Sequence, residues 1–142
     1  MTKAPILVRP AVEGDFPAIT RIQQRTPEAA QWPLGDYSGT SLLIAIADGD
    51  PAGFCAWRQN LPDEAELLNL AVAPEFRRRG VASALLDALD GAAHGAIFLE
   101  VAETNAAAIG LYLKFGWEQS GVRKGYYAQG KINAIVMKKR SW

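Results

Sequence analysis

The chain is poor in the residues that staple or metallate a fold. Its 142 residues include one cysteine, Cys55, and one histidine, His94. A single thiol excludes an internal disulfide and any multi-cysteine metal site, and a single imidazole cannot build a His-rich centre. Cys55 lies in the apolar run from Ala52 to Trp57, where a buried structural thiol is expected rather than a nucleophile. No apolar run reaches the roughly 20 residues that span a bilayer, and the N-terminal Met1-Thr2-Lys3-Ala4-Pro5 carries no signal-peptide core. Net charge is also missing. Fifteen Lys plus Arg balance fifteen Asp plus Glu, so no global field draws the protein to nucleic acid or membrane. These absences point to a cytoplasmic, reduced protein that uses no metal.

What is present suits one globular domain over residues 1–142, with 49% hydrophobic and 21% charged residues. Charge is unevenly spread. Asp63, Glu64, Glu66 and Glu75 stand without a base between Leu61 and Phe76, whereas six bases follow Trp117 against Glu118 alone. The simplest reading of both stretches is solvated surface.

Periodicity orders the chain. Ile6 to Arg9 reads as a strand, and Asp15 can cap a helix through about Arg25 that buries Phe16, Ile19 and Ile22. Thr26 to Thr40 is irregular, with a short helix expected near Pro27 to Gln31. Ser41 to Ala47 and Ala52 to Gln59 are apolar strands around the turn Asp48-Gly49-Asp50-Pro51, and Ala65 to Ala73 follows as a third. Val81, Ala84, Leu85, Ala88 and Leu89 fall at helical spacing. Ala96 to Val101 is a buried strand, parallel to its predecessor because a helix crosses between them. Asn105 caps a helix presenting Ala108, Leu111, Tyr112 and Phe115, and two last strands, Trp117 to Tyr127 and Lys131 to Lys139, flank a turn at Ala128-Gln129-Gly130. The expected fold is α/β (α+β), with a mixed central sheet of about seven strands flanked by about four helices.

Within this frame Leu70 to Leu86 is the most informative segment. An apolar strand turns through Arg77-Arg78-Arg79-Gly80 into an amphipathic helix. Unpaired N–H groups and the positive end of a helix dipole there suit a phosphate or pyrophosphate. The arginines add charge, and Gly80 lets the backbone approach a ligand closely.

The order of elements, together with Arg77-x-x-Gly80-x-Ala82, resembles the GNAT acetyltransferase superfamily. A second block, from Leu99-Glu100-Val101 through Asn105-Ala106-Ala107-Ala108-Ile109 to Tyr112 and Phe115-Gly116-Trp117, is similar to the bacterial ribosomal-protein-alanine N-acetyltransferases. Arg123-Lys124-x-Tyr126-Tyr127 and Ala134-Ile135-Val136-Met137 extend the likeness, so that its specific part covers about residues 65–139. The resemblance implies acetyl-CoA as co-substrate, bound by the backbone of Leu70, Ala71 and Val72. It further implies pyrophosphate at Arg77, Arg78, Arg79, Gly80, Val81, Ala82 and Ser83, and a CoA contact at Asn105. It makes Glu100 the proton acceptor and Tyr112 the proton donor. The acceptor it implies is a protein N-terminal amine, of which a ribosomal alanine is the type case, with no nucleic-acid or membrane partner.

The chemistry at these residues can be judged alone. Glu100 stands on an otherwise apolar strand, where a carboxylate is either partnered or desolvated, and desolvation would raise its pKa toward that of a useful base. A strand-end carboxylate in a structural hydrogen bond is the alternative. Tyr112 at its helical spacing is by itself a packing residue. Glu103, two residues past the strand, is expected in solvent. An α-amine with a pKa of about 7.8 costs roughly 1 kcal/mol to neutralise at pH 7, against about 4.6 for a lysine near 10.4. Backbone N–H groups near Ala71 and Val72 would hold the carbonyl oxygen as its charge develops. A lysine or small-molecule amine acetyltransferase of the same fold, and a non-catalytic acyl-CoA-binding or sensing module, are the rival readings. Oligomeric state is open. The chain departs from the ribosomal type at Ile132-Asn133, where those relatives carry an acidic pair, and Trp32, Tyr126 and Tyr127 are the candidate acceptor-side aromatics, with burial in the core the equal alternative for each.

Overall fold

The computed structural model describes residues 5–27, 39–127 and 130–140. Ten elements follow one another: β1 (Ile6–Pro10), α1 (Phe16–Gln24), β2 (Ser41–Ala47), β3 (Asp50–Leu61), β4 (Glu64–Val72), α2 (Val81–Ala92), β5 (Ala96–Ala102), α3 (Ala106–Lys114), β6 (Glu118–Tyr127) and β7 (Ile132–Arg140), with 3-10 turns at Glu13–Asp15 and Pro74–Phe76. The strands form a seven-stranded sheet in the order β1-β2-β3-β4-β5-β7-β6. β4 and β5 pair in parallel, while β1/β2, β2/β3, β5/β7 and β6/β7 are antiparallel. The expected mixed sheet is therefore found. The described residues hold three α-helices rather than about four, and most of the short helix expected near Pro27 to Gln31 lies outside them. Among them no helix is long and apolar enough to cross a membrane.

The chain packs as two compact units: Met1–Arg58 with Leu67–Ala92, and Gln59–Glu66 with Ala93–Trp142. In the first, Ile19 and Ile22 of α1, Ile44 of β2, Phe54 and Cys55 of β3, and Leu85, Leu86 and Leu89 of α2 are buried. Their helical members recur at three- and four-residue spacing, which gives each helix one apolar stripe to bury. β3 is buried without a break from Ala52 to Ala56, the pattern of a strand covered on both faces. Burial pushes the Cys55 thiol up to about 12.

Two local expectations are corrected here. Asp15 precedes α1 but makes no side-chain cap to it. Its carboxylate instead accepts the Val12 N–H at 2.8 Å and two bonds from the Arg9 guanidinium at 2.7 and 3.0 Å. The hydrogen bonds from Arg9 hold that carboxyl below the ordinary aspartate value. A carboxylate offered a bidentate guanidinium and a nearer N–H has better partners than the first turn of α1. The β2–β3 turn is also tighter than the four residues expected. Ala47 pairs with Asp50, leaving Asp48 and Gly49 at φ 54° and 81° as a two-residue loop. Pro51 enters the strand at a register shift between Ala45 and Ile46, where a missing N–H is tolerated.

In the second unit β5 alternates, with Ile97, Leu99 and Val101 buried and Phe98, Glu100 and Ala102 half-buried. Gly95 sets where that alternation begins. Its φ is +79°, and a Cβ there would lie 1.8 Å from the Asp63 carbonyl oxygen. The bare backbone permits the Ala96 N–H to donate to that same oxygen at 2.9 Å. Gln59 supports the turn, accepting the His94 N–H at 3.0 Å and donating to the His94 carbonyl at 2.8 Å. The exposed imidazole of His94 is not what the turn uses. Glu64, Ala65 and Glu66 consequently pair with Ala96, Ile97 and Phe98.

Gly95→Ala is expected to destabilise the protein by at least about 2 kcal/mol, because a forbidden contact adds to a left-handed backbone; urea unfolding monitored by circular dichroism measures this. Cys55, neutral and buried, should resist iodoacetamide through pH 9 in the native protein and react only once urea unfolds the chain.

Candidate active site

On the first unit the residues singled out from Leu70 to Ser83 form one continuous strand–turn–helix segment. Ala71 is buried, while Leu70 and Val72 are half-buried. The buried Asn69, which sequence reasoning passed over, accepts the Leu70 N–H on its Oδ1 at 3.0 Å. After Val72 the chain turns through Pro74–Phe76, and Phe76 is buried at the turn's end. Arg77 is extended, at φ −67° and ψ 151°, whereas Arg78 takes φ 63° and Gly80 φ 86°. A left-handed arginine costs about 1–2 kcal/mol, so its surroundings must hold it there.

They do so from two sides. The Arg25 guanidinium donates to both carboxylate oxygens of Glu75, at 2.9 Å to Oε1. The Arg79 guanidinium donates to Asp48 Oδ2 at 2.6 Å and lies over the Phe76 ring, 5.1 Å from its centroid. Arg77 and Arg78 are exposed. The Gly80 carbonyl accepts the Ala84 N–H at 3.0 Å, so Gly80 opens α2 and the N–H groups of Val81, Ala82 and Ser83 have no acceptor within the helix. A Cβ on Gly80 would meet nothing nearer than Ile6 Cδ1 at 3.9 Å. Main-chain donors, two exposed guanidiniums and open space beside Gly80 are what a pyrophosphate needs.

On the second unit Glu100 faces a cavity of about 250 Å³. Asn60, Glu64, Glu66, Phe98 and Val136 line it with Glu100. Asn60 Nδ2 donates to Glu66 Oε1 at 3.3 Å. The Arg123 guanidinium, 4.8 Å from the Tyr126 ring centroid, donates to Glu100 Oε2 at 3.4 Å and lies as far from Oε1. Glu100 is therefore a partnered carboxylate on an apolar strand. The side chain of Arg123 is 56% exposed, so the pair contributes at most about 1 kcal/mol and leaves Glu100 free to exchange partners. Glu64 and Glu66, read from sequence as solvated surface, were missed. The period-two alternation of β4 puts them on one face, but only the parallel register places that face beside Phe98 and Glu100.

Tyr112 is 8% exposed and meets Trp117 edge to face, with ring centroids 5.5 Å apart. Trp117 is itself 1% exposed, and Lys139 Nζ lies 4.9 Å from its ring centroid. Tyr112 thus packs in the core, as its spacing implied. Asn105 caps α3 as expected, its Oδ1 accepting the Ala108 N–H at 3.1 Å. Glu103 is exposed, and its carboxylate accepts the Asn133 N–H at 3.2 Å. Tyr126 is exposed, Tyr127 ends β6, and Trp32 lies outside the described residues.

A mixed seven-stranded sheet carrying a basic strand–turn–helix segment and a strand carboxylate facing a cavity is the layout of an acetyl-CoA-dependent acyltransferase. Residues 10–117 match the model of the Acetyltransferase (GNAT) family, and the chain belongs to that family. It is 36% identical over 132 residues to ribosomal protein bS18-alanine N-acetyltransferase of Salmonella typhimurium, a match covering 87% of this chain and 89% of that one. The crystal structure of the ribosomal-protein-S18-alanine N-acetyltransferase from Escherichia coli superposes with a TM-score of 0.81 at 29% identity, covering 96% of this chain and 94% of that one. A GNAT family acetyltransferase from Elizabethkingia anophelis, solved with acetyl-CoA bound, shares the fold at 18% identity and a TM-score of 0.79, over 95% of this chain and 97% of that one. The protein is an acetyl-CoA-dependent N-acetyltransferase.

Asn105→Ala is expected to remove the α3 cap and about 1 kcal/mol of stability, whereas Asn105→Asp keeps an acceptor and should stay within a few tenths of wild type. Thermal melting of the two variants distinguishes them.

Proposed function

We propose that the chain, as one catalytic domain over residues 1–142, acetylates the α-amine of a protein N terminus in the cytoplasm, with an alanine of a ribosomal protein as the type of acceptor. The observation that carries this reading is the cavity in front of Glu100, whose other carboxylates, Glu64 and Glu66, favour an arriving ammonium. An α-amine must lose only about 1 kcal/mol worth of proton at pH 7, well within reach of one half-buried carboxylate. The names of the relatives above support the same acceptor class.

In the proposed reaction the amine nitrogen attacks the thioester carbonyl carbon of acetyl-CoA. The C–N bond forms, the C–S bond breaks, Glu100 takes the amine proton, and the CoA thiolate leaves with a proton from Tyr112. No enzyme-bound acyl intermediate is needed. Arg77, Arg78, Arg79, Gly80, Val81, Ala82 and Ser83 are assigned to the pyrophosphate, the backbone of Leu70, Ala71 and Val72 to the rest of the donor and its carbonyl oxygen, and Asn105 to a further CoA contact. The main-chain donors of Val81–Ser83, which have no acceptor within α2, and the open space at Gly80 support this assignment.

Glu100→Gln is expected to lower kcat by about 10²–10⁴-fold while acetyl-CoA binding, measured by calorimetry, stays within about twofold. Tyr112→Phe should also lower kcat, without altering the acceptor preference. Mass spectrometry of peptides with different first residues should find acetyl on the α-amine. Acetyl confined to internal lysines, or no turnover above the blank with any amine, overturns the reading.

A further inference from the structure

We propose that Arg79 is a positioning residue, latched to the β2–β3 turn by Asp48, and that this latch holds the basic turn in its donor-binding shape while Arg77 and Arg78 supply the charge. The inference rests on the reading of residues 77–83 as the pyrophosphate cradle and changes the part Arg79 plays in it.

Three observations support it. Arg79 has partners on both sides: its guanidinium is 2.6 Å from Asp48 Oδ2 and 5.1 Å from the centroid of the buried Phe76 ring. A cation shared between a carboxylate and an aromatic face is already neutralised and oriented, which makes it a poor anion ligand and a good tether. The anchor is rigid as well, because Asp48 sits at φ 54° in a two-residue loop whose flanks, Ala47 and Asp50, are paired. The turn also needs a tether. Arg78 is left-handed at φ 63°, Gly80 follows at φ 86°, and the Arg25–Glu75 pair secures only the N-terminal end of this stretch. Arg79 secures its other end.

The location of Asp48 sharpens the argument. A carboxylate joined to a basic turn works against anion binding by simple Coulomb repulsion. If Arg79 touched the pyrophosphate directly, deleting Asp48 would free its charge and tighten the complex. If Arg79 acts by holding the turn, deleting Asp48 loosens the turn and weakens the complex. The two roles predict opposite signs.

Asp48→Gly is the variant of choice, since glycine accepts φ 54° and keeps the turn. Calorimetry should show acetyl-CoA affinity falling about threefold to fivefold as preorganisation is lost, the scale of a pair whose side chains are 33% and 44% exposed. In steady state the KM for acetyl-CoA should rise with kcat within about twofold, and Asp48→Glu should restore most of the affinity. The exchanged pair Asp48→Arg with Arg79→Asp should bind better than Arg79→Asp alone. Affinity unchanged or raised in Asp48→Gly, or an exchanged pair no better than Arg79→Asp, overturns the latch. A control variant, Arg77→Ala with Arg78→Ala, separates this from the reading beneath it. If that control binds acetyl-CoA as wild type does, the cradle assignment itself fails and the latch fails with it. If it binds weakly while Asp48→Gly does not, the latch alone fails.

Discussion

The hydrogen bond from the Ala96 N–H to the Asp63 carbonyl, made possible by the missing side chain at Gly95, decides which face of β5 meets the cavity. Side chains alternate along a strand, so a slip of one residue would exchange every inward position for an outward one. With Glu64 paired to Ala96 and Glu66 to Phe98, the even positions Phe98 and Glu100 share a face with Glu64 and Glu66. Shifted by one, Glu100 would be driven among Ile97, Val101 and Met137, which are buried, and an unpaired carboxylate there is very costly. The face that presents Glu100 therefore depends on a backbone contact that carries no chemistry.

That face gathers negative charge on an otherwise neutral protein. Glu64, Glu66 and Glu100 line one cavity, and a cation paired with Glu100, Arg123, comes from β6 as an exposed partner. An exposed ion pair is worth little because water competes for both ends. In the proposed reaction an arriving ammonium can therefore take the place of Arg123 at small cost. Arg123 in turn keeps a second contact over Tyr126, so it does not leave a charge stranded. A weak pair suits the proton-accepting role proposed for Glu100.

Strand and helix order was readable because the elements are amphipathic with clean periods. The strand–turn–helix junction at Arg77-x-x-Gly80 was readable because an apolar strand gives way there to helical spacing. The placement of Glu64 and Glu66 beside Glu100 was hidden, since it arises from a parallel pairing with residues about thirty positions away, and two glutamates between apolar neighbours look like any solvated strand face. The Asp15 cap misled for a related reason. Its local rule is sound, but Arg9 on a neighbouring strand offered two charged hydrogen bonds and prevailed. Asn69 was passed over because its side chain serves the backbone of its own neighbour, an interaction without periodic signature.

The Ile132-Asn133 departure gains a physical meaning in this light. Asn133 Oδ1 accepts the Gly125 N–H at 2.9 Å across the β6–β7 hairpin, and its main chain exchanges two bonds with Glu103, at 2.9 Å from the Glu103 N–H and 3.2 Å to the Glu103 carboxylate. An acidic residue at this position could still accept from Gly125, but it would place a second negative charge beside Glu103. Asparagine keeps the acceptor and removes the charge, so the hairpin holds its shape by hydrogen bonding alone. In the proposed reaction, the negative charge that meets the amine comes from the strand glutamates Glu64, Glu66 and Glu100 rather than from the hairpin.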